Sequence, residues 1–564
     1  MRYRRRVIAT YLTRLQRHAT RGAVFLAIAV TCCTPLAMPP AGPTAFAQPP
    51  LSVDNAVLGN AGPARNVQAS IRPATMMRLP PTPFPVGASS TTGQPLQRAL
   101  DTPTAGNPRP TATPLPLGVF WDRLRALQFA PVLEHLQVLP ADQRDDSFFA
   151  INDALVSDDT TAPILRGVGA SMDRLEVRWD VLEPAPGDFQ FAQLDALMQS
   201  AAQLQFSVLA VVDGTPDWAA STPAGSAASP PQGLDQPALM ADGIPNAANH
   251  WAVFLAAVSQ RYAGRIAAWE IWNEPNSPEF WLGMPQQYAR LYDVAQTVLS
   301  RNTPATPVLI GGQVSDDGTF LRAVAAALCP NRTCSPGELH DVAWHVYDNP
   351  TDIPRLAALT RSLLQPYGLR PDLWVTEANV PVNDPESPAD AVTGPDAVSL
   401  DQQAAFVLQA TVLARAAGVR SLAFYRASDV DDLGHYWGLL RGDMTARPAL
   451  LAYRTAAQWL SHARLLQLGH PQPDVTLAQF CRSGSLVTVA WNSGVLATST
   501  SLVVAATQAS LVDVTGALTP ISPANGVVTL DLPGASAPTA QTVSLGQPRL
   551  LIVASGCTAS APSE

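Results

Sequence analysis

Between Phe148 and Leu465, short β-rich apolar runs alternate with longer segments whose apolar residues recur at helical spacing. This alternation constrains the fold more than any other feature. A strand that is apolar along its length needs cover on both faces, and an intervening helix supplies it when neighbouring strands run parallel. The candidate strands are Phe148 to Ala154, Arg174 to Arg178, Ser207 to Val212, Ile266 to Trp272, Pro307 to Gly311, Val342 to Tyr347, Leu373 to Thr376 and Ser421 to Phe424. Helical segments separate most of them, for example Asn249 to Tyr262 and Leu400 to Ala417. Eight such units predict the α/β class and, within it, a (β/α)8 TIM barrel. The rival is a doubly wound open sheet. Against it, Gly167 to Met172 lacks the third glycine of a dinucleotide fingerprint and follows no clear strand.

After Leu465 the helical rhythm stops, and short alternating runs follow at Leu486 to Trp491, Ser501 to Val504, Gly526 to Leu532 and Arg549 to Val553. They predict a C-terminal all-β sandwich over residues 466–564, behind a barrel with an N-terminal extension over 118–465. Residues 48–117 are rich in Pro, Ala and Thr, with 14 Pro, and read as an extended, disordered linker. Such a segment is either a stalk or a dispensable tail.

The N-terminus carries seven Arg from Arg2 to Arg21, then a mostly apolar stretch from Ala23 to Met38 broken by Thr31, Thr34 and Pro35, then Ala45-Phe46-Ala47. This is the layout of a signal peptide over residues 1–47, and it predicts a secreted or cell-envelope-associated protein. An uncleaved anchor is the alternative, but the apolar stretch falls short of the ~20 residues a spanning helix needs. Cys32 follows Thr31, a poor context for lipid modification.

Cleavage before Gln48 removes those seven Arg and no acid, which takes the formal charge from −9 to −16. An acidic surface argues against nucleic acid as a partner. The sequence has no lysine, so Schiff-base, pyridoxal-phosphate and P-loop chemistry are excluded. Four Cys remain after cleavage and suggest disulfides between Cys329 and Cys334 and between Cys481 and Cys557; buried free thiols are the other reading. No spacing resembles a zinc site, and neither His-Glu-x-x-His nor Gly-x-Ser-x-Gly occurs.

Chemistry enters at Trp269-Glu270-Ile271-Trp272-Asn273-Glu274-Pro275-Asn276, where an apolar strand ends in a carboxylate and a Pro that cannot continue the ladder. Glu274 is thereby placed at the C-terminal edge of a strand, the edge where active-site groups of a parallel barrel converge. Leu373-Trp374-Val375-Thr376-Glu377-Ala378-Asn379 repeats the pattern and places Glu377 three strands further round. Two carboxylates facing one cleft can cleave a glycosidic bond, one protonating the leaving oxygen and the other attacking the anomeric carbon. Either one alone is weak evidence, since a single Glu after a strand is usually a solvated loop residue.

Paired and in this order, the motifs resemble clan A glycoside hydrolases, most of all family 39 with its family 5 relatives. Arg178-Trp179, Glu183-Pro184 and Thr215-Pro216-Asp217-Trp218 add to the likeness, which covers roughly Phe148 to Leu465. The resemblance implies a secreted retaining O-glycosyl hydrolase that acts on β-linked oligosaccharide or polysaccharide, with Glu274 as acid/base and Glu377 as nucleophile. It implies no cofactor and no metal. Asn273 would hydrogen-bond the sugar 2-hydroxyl, and Arg178 and Tyr347 would orient the Glu377 carboxylate and favour its anion. His345, on the strand face of Tyr347, lines the pocket or is a satisfied core histidine.

Glu270 shares the face of positions 272 and 274 and reads as a structural carboxylate lower in the barrel, paired with an Arg. Trp179, Trp218, Trp272 and Trp437 are sugar platforms or ordinary core. Asp429-Val430-Asp431-Asp432 reads as a solvated acidic loop rather than a cation site. The sequence departs from the family pattern at Ala378-Asn379-Val380 and at Phe424-Tyr425-Arg426, so the sugar is not specified. Two other functions stay open: a carbohydrate-binding or cell-surface scaffold without turnover, and a transglycosidase.

Overall fold

The computed structural model describes residues 138–558, apart from residues 145, 158–159, 223–225, 315–316, 333, 335–338, 340, 387–396, 431, 433–434 and 537–543. The expected signal peptide and linker, and Cys32, lie outside the described residues. Eight parallel strands close into a barrel: β1 (Phe149–Asn152), β2 (Met172–Arg178), β3 (Ser207–Asp213), β4 (Ala268–Ile271), β5 (Val308–Gln313), β6 (Asp341–Tyr347), β7 (Asp372–Asn379) and β8 (Val419–Phe424). Each pairs with the next, and β8 closes on β1. A covering helix follows each strand: α1 (Thr161–Gly167), α2 (Ala192–Leu204), α3 (His250–Arg261), α4 (Pro285–Asn302), α5 (Thr319–Leu328), α6 (Asp352–Leu364), α7 (Leu400–Ala417) and α8 (Pro448–Leu460). Among the described residues, no helix is long and apolar enough to cross a membrane.

Local chemistry sets these boundaries. Helix α7 starts where the Ser399 side chain accepts from the Gln402 backbone N–H and the Gln402 side chain returns the bond. It stops at Gly418, whose φ of 69° is a left-handed conformation that glycine adopts without strain. In α4, Tyr288 Oη donates to the Ile271 carbonyl and accepts from Gly311 N–H, so this helix pins the upper ends of β4 and β5 together.

Inside the barrel, side chains stack by the period of two. The floor takes one residue from each strand: Ala150, Met172, Leu209, Ala268, Leu309, Ala343, Trp374 and Ala423. Four alanines leave room for the single large indole of Trp374. Two residues further along, the inward positions turn polar at Asn152, Arg174, Glu270, His345 and Thr376, all buried. On β5, where the register against β6 shifts between Ile310 and Gln313, this layer is reached three residues past Leu309 and holds glycine, because a Cβ on Gly312 would stand 2.1 Å from the His345 imidazole.

The remaining strands are antiparallel: β9 (Arg464–Gln472), β10 (Val475–Arg482), β11 (Ser485–Asn492), β12 (Thr498–Val503), β13 (Ala509–Val512), β14 (Leu518–Ile521), β15 (Val527–Leu532) and β16 (Arg549–Val553). Six form a sheet in the order β14-β13-β16-β11-β10-β9, and β12 pairs with β15. Alternation gives the sheet two apolar faces. Val475, Leu477, Leu551 and Val553 pack against Val528, Leu530 and Leu532 of β15 and complete a sandwich. The opposite residues Phe480, Val487, Val489, Trp491, Leu550 and Ile552 join the barrel core. Strands β9, β10, β13 and β14 carried no clear signal in the sequence. β9 is an edge strand exposed along most of its length, and β13 and β14 are four residues each. Both expected disulfides are formed, Cys329–Cys334 and Cys481–Cys557.

Candidate active site

Arg174 on β2 organises the upper barrel. Its Nε and Nη2 donate to Glu270 at 2.8 and 3.2 Å, its Nη1 to Glu377 Oε1 at 2.6 Å and Asn152 Oδ1 at 3.0 Å, and its Nη2 also to Asn273 Oδ1 at 2.9 Å. Burial alone would weaken the guanidinium's hold on its proton, but Glu270 and Glu377 reverse that and raise its pKa. Glu270, as expected, is a buried structural carboxylate. Burial would raise its pKa, yet Arg174 outweighs burial and lowers it, with further bonds from Gly312 N–H and the Thr376 hydroxyl.

Glu377 reaches this layer because β7 carries a register shift against β6: Trp344 pairs with Val375, but His345 pairs with Glu377. The extra residue lets Thr376 and Glu377 both face the barrel axis, as a β-bulge does when it re-aims a side chain. The sequence reading ended this strand at Thr376; in fact it continues through Glu377 to Asn379. Glu377 Oε1 accepts from Arg174, and its Oε2 accepts from the Tyr347 hydroxyl and lies 3.3 Å from His345 Nδ1. Burial and the adjacent Glu377 raise the Tyr347 pKa well above its ordinary value, so the phenol remains a donor.

Glu274 arrives differently. Strand β4 ends at Ile271, and Trp272 and Glu274 take left-handed φ values of 74° and 41°. The shared face expected for positions 270, 272 and 274 therefore breaks after Ile271. Trp272 turns into the core against Trp251 and Trp281, with its indole N–H on the Phe280 carbonyl, while Glu274 swings toward the axis. Its Oε1 lies 2.9 Å from His345 Nδ1. One imidazole nitrogen thus faces both carboxylates, and it carries the hydrogen because carboxylate oxygens only accept. Burial would lower the His345 pKa, but Glu377 and Glu274 together raise it. One ligand atom from each of Glu274, His345 and Glu377 lies within 4.8 Å of the others, a grouping that a divalent cation could also use.

Several residues lie elsewhere than expected. Arg178 does not hold Glu377; its guanidinium forks onto Asp180 at 3.0 and 2.8 Å and lies 3.7 Å from Asp213. Arg174, four residues earlier on the same face, takes the expected place, because the stagger of β2 against β7 brings the lower position level with Glu377. Trp179 is fully buried and stacks on Phe254, so it is core rather than a sugar platform. Trp218 is half-buried, edge-on to Trp179 and His250, with its indole N–H on the Glu183 carbonyl. Trp437, from the loop between β8 and α8, stands 5.2 Å from the Tyr347 ring and 5.9 Å from Tyr425. Asp429 is not solvated: it pairs with the fully buried Arg447, which also binds Asp384. Arg174, Asn152 and Tyr425 went unrecognised in the sequence, although an Arg inside an apolar strand was itself a signal.

No protein-family profile matches the sequence, and no curated protein is similar to it. The fold does have solved counterparts. The chain is similar to a family 39 glycoside hydrolase from the gut symbiont Bacteroides cellulosilyticus WH2, at 18% identity and a TM-score of 0.55, over 74% of this chain and 82% of that one. It is also similar to a glucosidase from Croceicoccus marinus, at 13% identity and a TM-score of 0.50, over 73% of this chain and 96% of the other. At these identities the likeness is one of fold.

Proposed function

We propose that the protein is a retaining glycoside hydrolase acting on β-linked oligosaccharides or polysaccharides, with Glu377 as nucleophile and Glu274 as acid/base. The observation that carries this reading is the convergence of the two carboxylates on one imidazole nitrogen, 2.9 and 3.3 Å away. Retaining enzymes keep their carboxyl groups about 5–5.5 Å apart, whereas inverting ones leave about 6.5–9.5 Å for a water. Glu274 and Glu377 present oxygens within 4.8 Å of each other, which favours retention.

The surroundings suit the two roles. Arg174, Tyr347 and His345 fix Glu377, as an attacking group requires. Among the described residues Glu274 has a single side-chain partner in His345, and it is the more open of the two, with 14% of its side chain exposed against 9% for Glu377. That suits a group that must give up and recover a proton. In the first step Glu377 attacks the anomeric carbon while Glu274 protonates the departing oxygen. In the second, Glu274 takes a proton from water, which displaces Glu377 and releases the sugar with its configuration retained. Asn273, held by Arg174, is oriented to meet the sugar 2-hydroxyl, and Trp437 stands as an aromatic wall beside Tyr347. We further read the chain as exported, with a barrel domain over 118–465 and a supporting β domain over 466–564; two disulfides fit an oxidising compartment.

The test is hydrolysis of a panel of aryl β-glycosides and polysaccharides by the wild-type chain, Glu274→Ala and Glu377→Ala. Loss of turnover in Glu377→Ala, with azide restoring it as a glycosyl azide of inverted configuration, supports the assignment. Glycan binding without turnover in all three proteins would replace it with a binding scaffold.

A further inference from the structure

Strand β2 has one exposed residue amid its buried stretch, and that residue is a carboxylate. Met172 and Arg174 face the barrel axis, so by the period of two Glu176 faces it as well, about 7 Å above Arg174. A water-accessible side chain on the inward face of a closed barrel can only look into the open cleft. Among the described residues Glu176 has no hydrogen-bond or ion-pair partner. On β3, level with Arg178 and one inward position further up, Asp213 faces the same way, since Leu209 of the floor lies four residues earlier. Asp213 is 3% exposed, and its Oδ1 is buried without a hydrogen bond. Glu176 therefore lines the cleft wall with acceptor capacity that no described residue uses, and Asp213 stands buried behind it, 3.7 Å from the Arg178 guanidinium.

The cations nearby are already committed. Arg174 holds Glu270 and Glu377, Arg178 is shared between Asp180 and Asp213, and Arg426 lies 2.7 Å from Asp153.

We propose that Glu176, backed by Asp213, sets glycone specificity: it accepts hydroxyl donors from a neutral sugar and rejects sugars that carry a carboxylate. The substrates are then neutral β-glycosides, and uronic acids are excluded. This rests on the hydrolase reading for its substrate class, but it concerns binding and can be tested without turnover. A hydroxyl supplies the donor that the Glu176 oxygens lack, whereas a uronate would stand against the Glu176 carboxylate, and the guanidinium groups acting there, Arg178 and Arg174, are already paired with protein carboxylates.

The test compares 4-nitrophenyl β-glucoside with 4-nitrophenyl β-glucuronide, and the galactoside with the galacturonide, pairs that differ only at C6. It measures kcat/KM on the wild-type chain and calorimetric binding to Glu377→Gln, each with and without Glu176→Gln. The neutral member is expected to be preferred by about 100-fold or more. Glu176→Gln narrows that gap at least tenfold, Glu176→Asp keeps it, and Asp213→Asn gives a second route should Glu176→Gln fail to fold. Equal handling of uronides, a gap unchanged in Glu176→Gln at unchanged Tm, or binding of neither member overturns the proposal. If the binding preference holds while no substrate is turned over, the hydrolase reading fails and the specificity assignment stands.

Discussion

Arg174 Nη1 lies 2.6 Å from Glu377 Oε1, joining β2 to β7 across the barrel axis, with both side chains largely buried. The same guanidinium neutralises Glu270. Removing it strands two buried carboxylates, and breaking a buried pair from one side costs about 3–5 kcal/mol. Arg174→Met is therefore expected to lower unfolding stability by about that amount and to abolish turnover, as measured by denaturant titration and aryl-glycoside assay. Arg178→Met, whose partners are Asp180 and Asp213, is expected to leave the Glu377 orientation intact and to retain more activity.

Stability should have an acid limb and an alkaline limb. Glu270 has a depressed folded pKa, so the stability it contributes is complete above the ordinary carboxylate value of about 4.3 and is lost as pH falls through the folded value. His345 has a raised folded pKa; its contribution is complete below about 6.5 and is lost as pH rises through the folded value. A Tm-against-pH series should show both limbs, with Glu270→Gln flattening the acid one and His345→Asn the alkaline one.

Trp179 separates packing from binding. It is fully buried, stacked on Phe254 and tilted against Trp251. Trp179→Ala should cost about 3–5 kcal/mol while leaving KM of the surviving folded enzyme near the wild-type value. A large rise in KM at unchanged stability would return Trp179 to the cleft.

The two disulfides should differ in weight. Cys481–Cys557 spans 76 residues and ties the end of β10 to the segment after β16, whereas Cys329–Cys334 spans only 5. Closing the longer loop restricts the unfolded chain by about 4.5 kcal/mol in the chain-entropy account, against about 2 kcal/mol for the shorter one. Cys481→Ser is expected to lower Tm about twice as much as Cys329→Ser in non-reducing calorimetry.

Chelation tests the alternative use of Glu274, His345 and Glu377. His345 Nδ1 has its hydrogen directed at carboxylate oxygens, and a metal would need that position deprotonated. Turnover is expected to be the same before and after EDTA dialysis, and a loss that zinc or manganese restores would assign the three residues to a cation.

The strands of the barrel, its helices and the placement of Glu274 and Glu377 at strand ends were legible in the sequence, because burial periodicity and the Glu-Pro stop are local properties of the chain. So was the pairing of Glu270 with an arginine, since a carboxylate on an inward strand face requires a cation. Which arginine meets Glu377 was decided by the stagger between β2 and β7, a distance in space that strand spacing does not encode. The register shift on β7 and the positive φ at Trp272 interrupt the period of two just where Glu274 and Glu377 stand. Periodicity carries a strand's side chains only as far as its ladder is regular. Beyond that point, which of two neighbouring residues faces the cleft is fixed by hydrogen bonds and packing from other strands, and only the folded barrel brings those together.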